Sequence, residues 1–244
     1  MKNKLILTLA LAASTGFAQL QTGFIQVDTT ALNGTAGVAG LVDGVPPGKT
    51  DQVRVTLVRT EPAAPLTVAS IALSRDGTFG LTSLPPGTYR VCVQSSDGDF
   101  VDPCAWGLAT PSVTVAGNQR IAAQKYSLTK GVRLKVRIDD PIGHLQQKAG
   151  ETVAPHILVG VLSPNGALLP MVPTQANRAG LDYEMVIPLG TALKFTTFSK
   201  MVDLEDENRQ LVPATGLFRD LPAVPAVAAA AAPPSLRFTV RGRK

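Results

Sequence analysis

The stretch SRDGTFGLTSLPPGTYRVCV, Ser74–Val93, holds two turns and two short strands. Asp76-Gly77 is a tight-turn dipeptide, because glycine enters the positive-φ region without steric cost. Thr78, Phe79 and Leu81 read as a strand, which Leu84-Pro85-Pro86-Gly87 ends in a proline-stiffened turn. Tyr89, Val91 and Val93 then alternate with Arg90, Cys92 and Gln94. That period of two is the mark of a strand with one face buried.

The same rhythm extends in both directions. Upstream, Gln52–Val58 (QVRVTLV) puts Val53, Val55 and Leu57 on one face. It is preceded by a small apolar run, Gly37–Val42, and by DGVPPGKT, Asp43–Thr50. The latter comes within one residue of a phosphate-binding loop, which needs Gly, four residues, then Gly-Lys-Ser/Thr leading into a helix. Here Asp43 stands at the first glycine position, Pro46 and Pro47 remove two N–H donors, and the following residues alternate as a strand. The stretch is a turn between strands.

Further strands are expected in VASIALS, SVTV and IAAQKYSL, and beyond Lys130 in GVRLKVRIDD, HILVGVLS, LDYEMVIP, ALKFTTFS and SLRFTVRG. No segment after the N-terminus sustains a helical period. With 22 glycines, 19 prolines and only 5% aromatic residues in 244, the composition fits many turns and short strands. The expected fold is all-β, with two β-sandwich domains, residues 19–129 and 130–244. The Ala/Pro-rich run 222–234 is expected as an insert before the last strand, either a loop or a single helical turn.

The ordered set Asp76-Gly77, Phe79, Leu84-Pro85-Pro86-Gly87, Tyr89 and Val91 resembles the carboxypeptidase regulatory-like family of transthyretin-like (prealbumin-like) β-sandwiches. GVAGLVDGVPPGKTDQVRVTLV fits the first half of that pattern, and the resemblance covers about residues 36 to 128. It implies a sandwich in which the matched residues are structural: glycines for turns, prolines for rigidity, Phe and Tyr for the core. It implies no chemistry of its own, since such modules accompany enzymes, receptors and surface proteins alike. For 130–244 the resemblance is to a generic sandwich, prealbumin-like or immunoglobulin-like.

The N-terminus, MKNKLILTLALAASTGFAQ, has basic Lys2 and Lys4, an apolar run Leu5–Ala13, and small residues up to Ala18. This is the layout of a secretory signal, residues 1–18, cut after Ala18. The apolar run is too short to span a bilayer comfortably, and no later segment is suited to it. Loss of Lys2 and Lys4 lowers the formal charge from +5 to +3. The remaining cations are scattered, which supports solubility and gives no basic stripe for nucleic acid. The expected location is exported: periplasm, cell surface or extracellular.

Export bears on the only two cysteines, Cys92 and Cys104. In an oxidising compartment they are expected to form one disulfide, stapling the loop SSDGDFVDPC over the outer face of the Cys92 strand. The loop-entropy model gives such a ring about 3 kcal/mol. A free reactive thiol is the competing reading, and no neighbouring histidine favours it. The stapled loop also carries Asp99, Phe100, Asp102 and Trp106, a candidate sugar-binding patch in which aromatic rings would stack on a saccharide. The alternative is that Trp106 packs beneath the loop and covers the disulfide.

Other chemistry is thinly represented. His144 and His156 lack metal-ligand spacing, no G-x-S-x-G elbow occurs, and DLEDEN (Asp203–Asn208) lacks the glycine and spacing of a calcium loop. That acidic string reads as a solvated hairpin turn. No catalytic residue, metal or cofactor is expected. The expected function is a non-catalytic structural or protein-interaction module, its partner an envelope protein or polysaccharide. The alternative is a carbohydrate-binding module using the Phe100–Trp106 loop.

Overall fold

The computed structural model describes residues 34–63, 68–213, 215–225 and 234–244. The expected signal, 1–18, lies outside the described residues, as do 226–233 of the Ala/Pro-rich insert. The insert's described ends, 222–225 and 234, carry no regular structure.

The chain is an all-β sandwich protein, and its described residues form four principal sheets. In the first half, β1 (Ala36–Asp43), β4 (Thr78–Leu84) and β8 (Arg120–Ser127) form one sheet in the order β4-β1-β8. Facing it, β2 (Val53–Glu61), β3 (Val68–Ala72), β5 (Gly87–Ser95) and β7 (Ser112–Val115) form the sheet β3-β2-β5-β7. The alternating side chains read from the sequence fill the space between them. Val53, Val55, Leu57, Phe79, Leu81, Tyr89, Val91 and Val93 all belong to one buried cluster.

The turns behave as their residues require. DGVPPGKT joins β1 to β2 through positive-φ Gly44 and Gly48 and a short 3-10 turn at Thr50–Gln52. Leu84-Pro85-Pro86-Gly87 joins β4 to β5, and the buried Tyr89 hydroxyl donates to the Pro85 carbonyl at 2.7 Å, tying the strand back onto its own turn. At Asp76-Gly77 the turn forms, with Asp76 Oδ1 accepting from the Thr78 N–H at 3.1 Å. β3 and β4 lie in opposite sheets, so the dipeptide carries the chain across the sandwich.

The second half repeats this wiring with different residues. β9 (Thr129–Asp139), β13 (Gly180–Pro188) and β17 (Ser235–Arg243) are ordered β13-β9-β17, matching β4-β1-β8. β10 (Leu158–Leu162), β11 (Leu168–Pro170), β14 (Leu193–Phe198) and β16 (Leu217–Leu221) are ordered β11-β10-β14-β16, matching β3-β2-β5-β7. Two extra strands, β12 (Pro173–Asn177) and β15 (Val202–Asp206), flank the first of these sheets. In both halves the first strand pairs parallel with the last, β1 with β8 and β9 with β17. The second core holds Leu134, Val136, Ile138, Val159, Val161, Phe195 and Phe238, with the rings of Phe195 and Phe238 stacked at 5.6 Å.

The acidic string is also placed differently from its reading as a turn. Asp203–Asp206 lie in strand β15, and the turn follows, with Asp206 Oδ1 accepting from the N–H groups of Asn208 (2.8 Å) and Gln210 (3.0 Å). Its carboxylates meet cations: Glu205 with Arg241 at 2.7 Å, Asp206 with Arg219 at 3.1 Å, and Asp203 with Lys244 at 3.6 Å.

Candidate functional site

The loop singled out by its cysteines and aromatics lies at the junction of the two sandwiches. One residue, Leu128, separates β8 from β9. Beside that link the segment between β5 and β7 leaves the first sandwich and enters the second. It contains β6 (Phe100–Val101), which pairs antiparallel with Lys130 and Thr129 at the start of β9.

The loop is fixed to the outer face of β5 in two ways. Cys92 and Cys104 form the expected disulfide. Next to it Gln94, on the same face of the strand, donates from Nε2 to Asp102 Oδ2 at 2.6 Å. The other oxygen of Asp102 accepts from the Cys104 N–H at 2.9 Å, which sets the turn that carries Cys104. Thr56 Oγ1 holds the far side of Gln94, donating to Oε1 at 3.0 Å. A row of side chains on β2 and β5 thereby aligns one carboxylate in the loop.

From this anchored base the loop crosses between cores. Phe100 belongs to the first buried cluster, while Val101 and Trp106 belong to the second. Leu108 packs on the second cluster as well. Trp106, the chain's single tryptophan, is only 4% exposed. The two aromatic rings therefore face different interiors. This corrects the exposed-patch reading of Phe100 and Trp106. The burial of Trp106 agrees with the alternative that it packs beneath the loop, and the core it joins is that of the second sandwich.

Asp99 alone of the four candidates is largely exposed, and it too spans the junction. Its carbonyl accepts from the Gly131 N–H at 3.0 Å, and its carboxylate meets Arg133 at 3.2 Å. Arg133 reaches on to Glu184 at 3.6 Å. The hydrogen bond to Asp99 is the main reason the Arg133 guanidinium is held above its usual pKa, ahead of burial, which opposes it. Close approach is built in by glycines that the sequence reading passed over. A Cβ on Gly131 would lie 2.4 Å from Val186 Cγ1 and 2.7 Å from Val101 Cγ1. A Cβ on Gly98 would lie 2.8 Å from Arg133 Nη2, and one on Gly107 2.8 Å from Asn165 Nδ2. Asn165 sits in the turn between β10 and β11, so the loop touches the second sandwich at two separate places.

A cleft of about 370 Å³ borders the same junction, lined by Asp43, Val91, Val93, Pro103, Tyr126 and Thr129 among others. Burial pushes the Tyr126 hydroxyl above its usual pKa. His144 and His156 lie elsewhere: the His144 N–H donates to Asp140 Oδ1 at 2.8 Å, and the His156 carbonyl accepts from Ser199 Oγ at 2.7 Å. Among the described residues no group of three or more His, Cys, Asp or Glu is placed to hold a metal ion.

The outer faces of the second sandwich contrast sharply. On the β9 sheet they carry a lattice of charge, with Arg137 meeting Asp182 (2.7 Å) and Asp139 (3.1 Å), and Arg237 also meeting Asp139. On the β10 sheet exposed apolar side chains stand beside one charged cross-strand pair, Lys194 and Asp220. Pairing sets Phe218 beside Thr196 and Gly160, and Leu168 beside Leu162, on the face away from Val159 and Val161. Phe218 is 61% and Leu168 41% exposed.

No protein-family model matches the chain, and a search of curated proteins finds no match. Solved structures are similar at low identity. The minor pilin GBS52 of Streptococcus agalactiae is 8% identical, with 84% of this chain and 96% of that one covered, at a TM-score of 0.35. A candidate adhesin from Bacteroides ovatus is 10% identical over 92% of this chain and 99% of its own, at 0.32. The Bacillus anthracis TIE protein is 14% identical over 85% of this chain, which spans 33% of that protein, at 0.28. Among the described residues no helix is long and apolar enough to cross a membrane.

Proposed function

We propose that the chain is an exported, non-catalytic β-sandwich protein of the cell envelope, acting as a structural and protein-interaction module. Its first sandwich is read as a carboxypeptidase regulatory-like domain on the ordered turn and strand residues from Asp76 to Val91. The observation that carries the reading is the use made of the Asp99–Trp106 loop. The side chains that looked most like a binding site instead tie the loop down, Asp102 to Gln94 on the first sandwich, and Asp99 to Arg133 and Trp106 to the core of the second. The interaction half of the reading draws on Phe218 and Leu168, two exposed apolar side chains on the outer face of the β10 sheet.

The test uses the mature chain and a Phe218→Asp variant in parallel. Both are screened against hydrolase substrates, a glycan array and solubilised native envelope. The expected outcome is no turnover, no saturable glycan binding, and capture of an envelope partner that Phe218→Asp loses while remaining folded. Turnover of any substrate overturns the non-catalytic reading. Saturable glycan binding that changes Trp106 fluorescence would put carbohydrate recognition in its place.

A further inference from the structure

The two sandwiches share a feature that determines how they respond to tension. In each, the first and last strands are neighbours and run parallel: Gly37 pairs with Arg120 and Asp43 with Ser127 in β1/β8, and Ser235 with Lys135 and Thr239 with Asp139 in β9/β17. Parallel neighbours put the entry point of the first strand and the exit point of the last at opposite ends of the sandwich. A pull along the chain therefore drags the two strands past each other. All hydrogen bonds of the ladder bear the load together, where pulling the strands apart from one end would break them one after another.

The junction transmits that load from one sandwich to the next. β8 runs into β9 through the buried Leu128 alone, leaving little slack. Alongside it, the loop from β5 spans the joint through β6 on β9, Asp99 on Arg133, and Trp106 in the second core. The Cys92–Cys104 bond keeps the base of this strap from paying out under tension.

From this geometry we infer that the chain is a tension-bearing element, with two parallel-strand shear clamps in series and a disulfide-anchored strap across the joint. The inference rests on the structural half of the proposed function and specifies its task. It requires no partner of particular chemistry, only attachment at both ends.

Single-molecule pulling of the full chain tests it. In one arm handles are attached at the two termini. In the other, azide-bearing side chains carry the handles at positions 43 and 127, a directly paired and exposed couple whose separation peels β1 from β8 one pair at a time. Terminal pulling is expected to unfold the first sandwich at a force several-fold above that of the 43/127 arm. Equal or lower force in the terminal arm overturns the inference. A second readout uses the disulfide as an internal ruler. Cys92 and Cys104 are 12 positions apart with Cα atoms 5.7 Å from each other, so at about 3.3–3.6 Å per residue, reduction by a dithiol should add about 35 Å to the length released by the first sandwich. The reaction takes two electrons and two protons from the dithiol, which becomes a disulfide, and leaves two thiols on the chain. An unchanged length on reduction, with both thiols shown to be free, overturns the strap. Failure of the force comparison alongside intact partner capture would leave the interaction reading standing.

Discussion

Gln94 and Asp102 meet at 2.6 Å across a disulfide-closed loop, and the same carboxylate sets the turn at Cys104. Removing it leaves the Gln94 amide and the Cys104 N–H without their acceptor. Asp102→Ala is expected to cost about 1–3 kcal/mol, the usual range for orphaned, partly buried hydrogen-bonding groups. Asp102→Asn, which retains an acceptor oxygen, should cost less. Equilibrium denaturation of the oxidised protein measures both, and equal losses would refute the acceptor role.

Gly131→Ala tests the close approach of β6, β9 and β13. The added carbon would meet Val186, Val101 and the Ile187 carbonyl, all at 2.7 Å or closer. Overpacking of this kind costs about 1–3 kcal/mol. Gly80→Ala is the matched control, because its Cβ would meet nothing within 4 Å. Thermal unfolding should separate the two, and the control should change little or rise slightly as the unfolded chain loses freedom.

Tyr89→Phe removes only the hydroxyl that donates to Pro85. A loss of about 1 kcal/mol is expected, a typical net value for one hydrogen bond. Hydrogen exchange should show the effect concentrated in the β4–β5 turn. An unchanged turn would mean that the prolines hold it unaided.

The charged face of the second sandwich makes stability depend on acidity. The hydrogen bond from Arg237 is the largest influence on Asp139; together with that from Arg137 it outweighs burial and holds the carboxyl below its ordinary value of 3.8. A carboxylate whose native pKa is depressed contributes its full stabilisation above the unfolded value. It loses that contribution as the pH falls through the lower native value. Denaturation midpoints should therefore drop as the pH falls below the ordinary carboxylate value, and less steeply in Asp139→Asn. Identical slopes for the two proteins would rule Asp139 out as a contributor.

Trp106 supplies the bluntest test of the junction. Trp106→Ala is expected to cost about 3–5 kcal/mol, the range for a large buried aromatic. The loss should fall on the second sandwich, although residue 106 belongs to the segment between β5 and β7. Amide exchange at Ile138 and Phe195 should accelerate more than at Val55 and Val91. The reverse order would assign Trp106 to the first core.

What could be read in the sequence was local. Tyr89, Val91 and Val93 alternate so regularly that their burial in one face follows from the period of the strand, and the outward side of Cys92 follows with it. Asp76-Gly77 announces a turn, but nothing within four residues tells whether the chain returns in the same sheet or crosses to the other. β6 has two residues, too few for any periodicity. Trp106 was legible as a large aromatic in a stapled loop. Its destination was not, because the core that receives it is built mainly from residues that follow in the chain, from Leu134 to Val240. The parallel pairing of β1 with β8 likewise joins segments about eighty residues apart, and neither strand alone carries a mark of it.

The insertion of Trp106 into a core that follows it also gives biogenesis a direction. As the chain emerges from its N-terminus, everything needed for the first sandwich has appeared once Leu128 is out. Oxidation of Cys92 and Cys104 can then position the loop before the later strands arrive. A first sandwich formed in that order would present Trp106 as a wedge for the second to close on, making the earlier half a template for the later one.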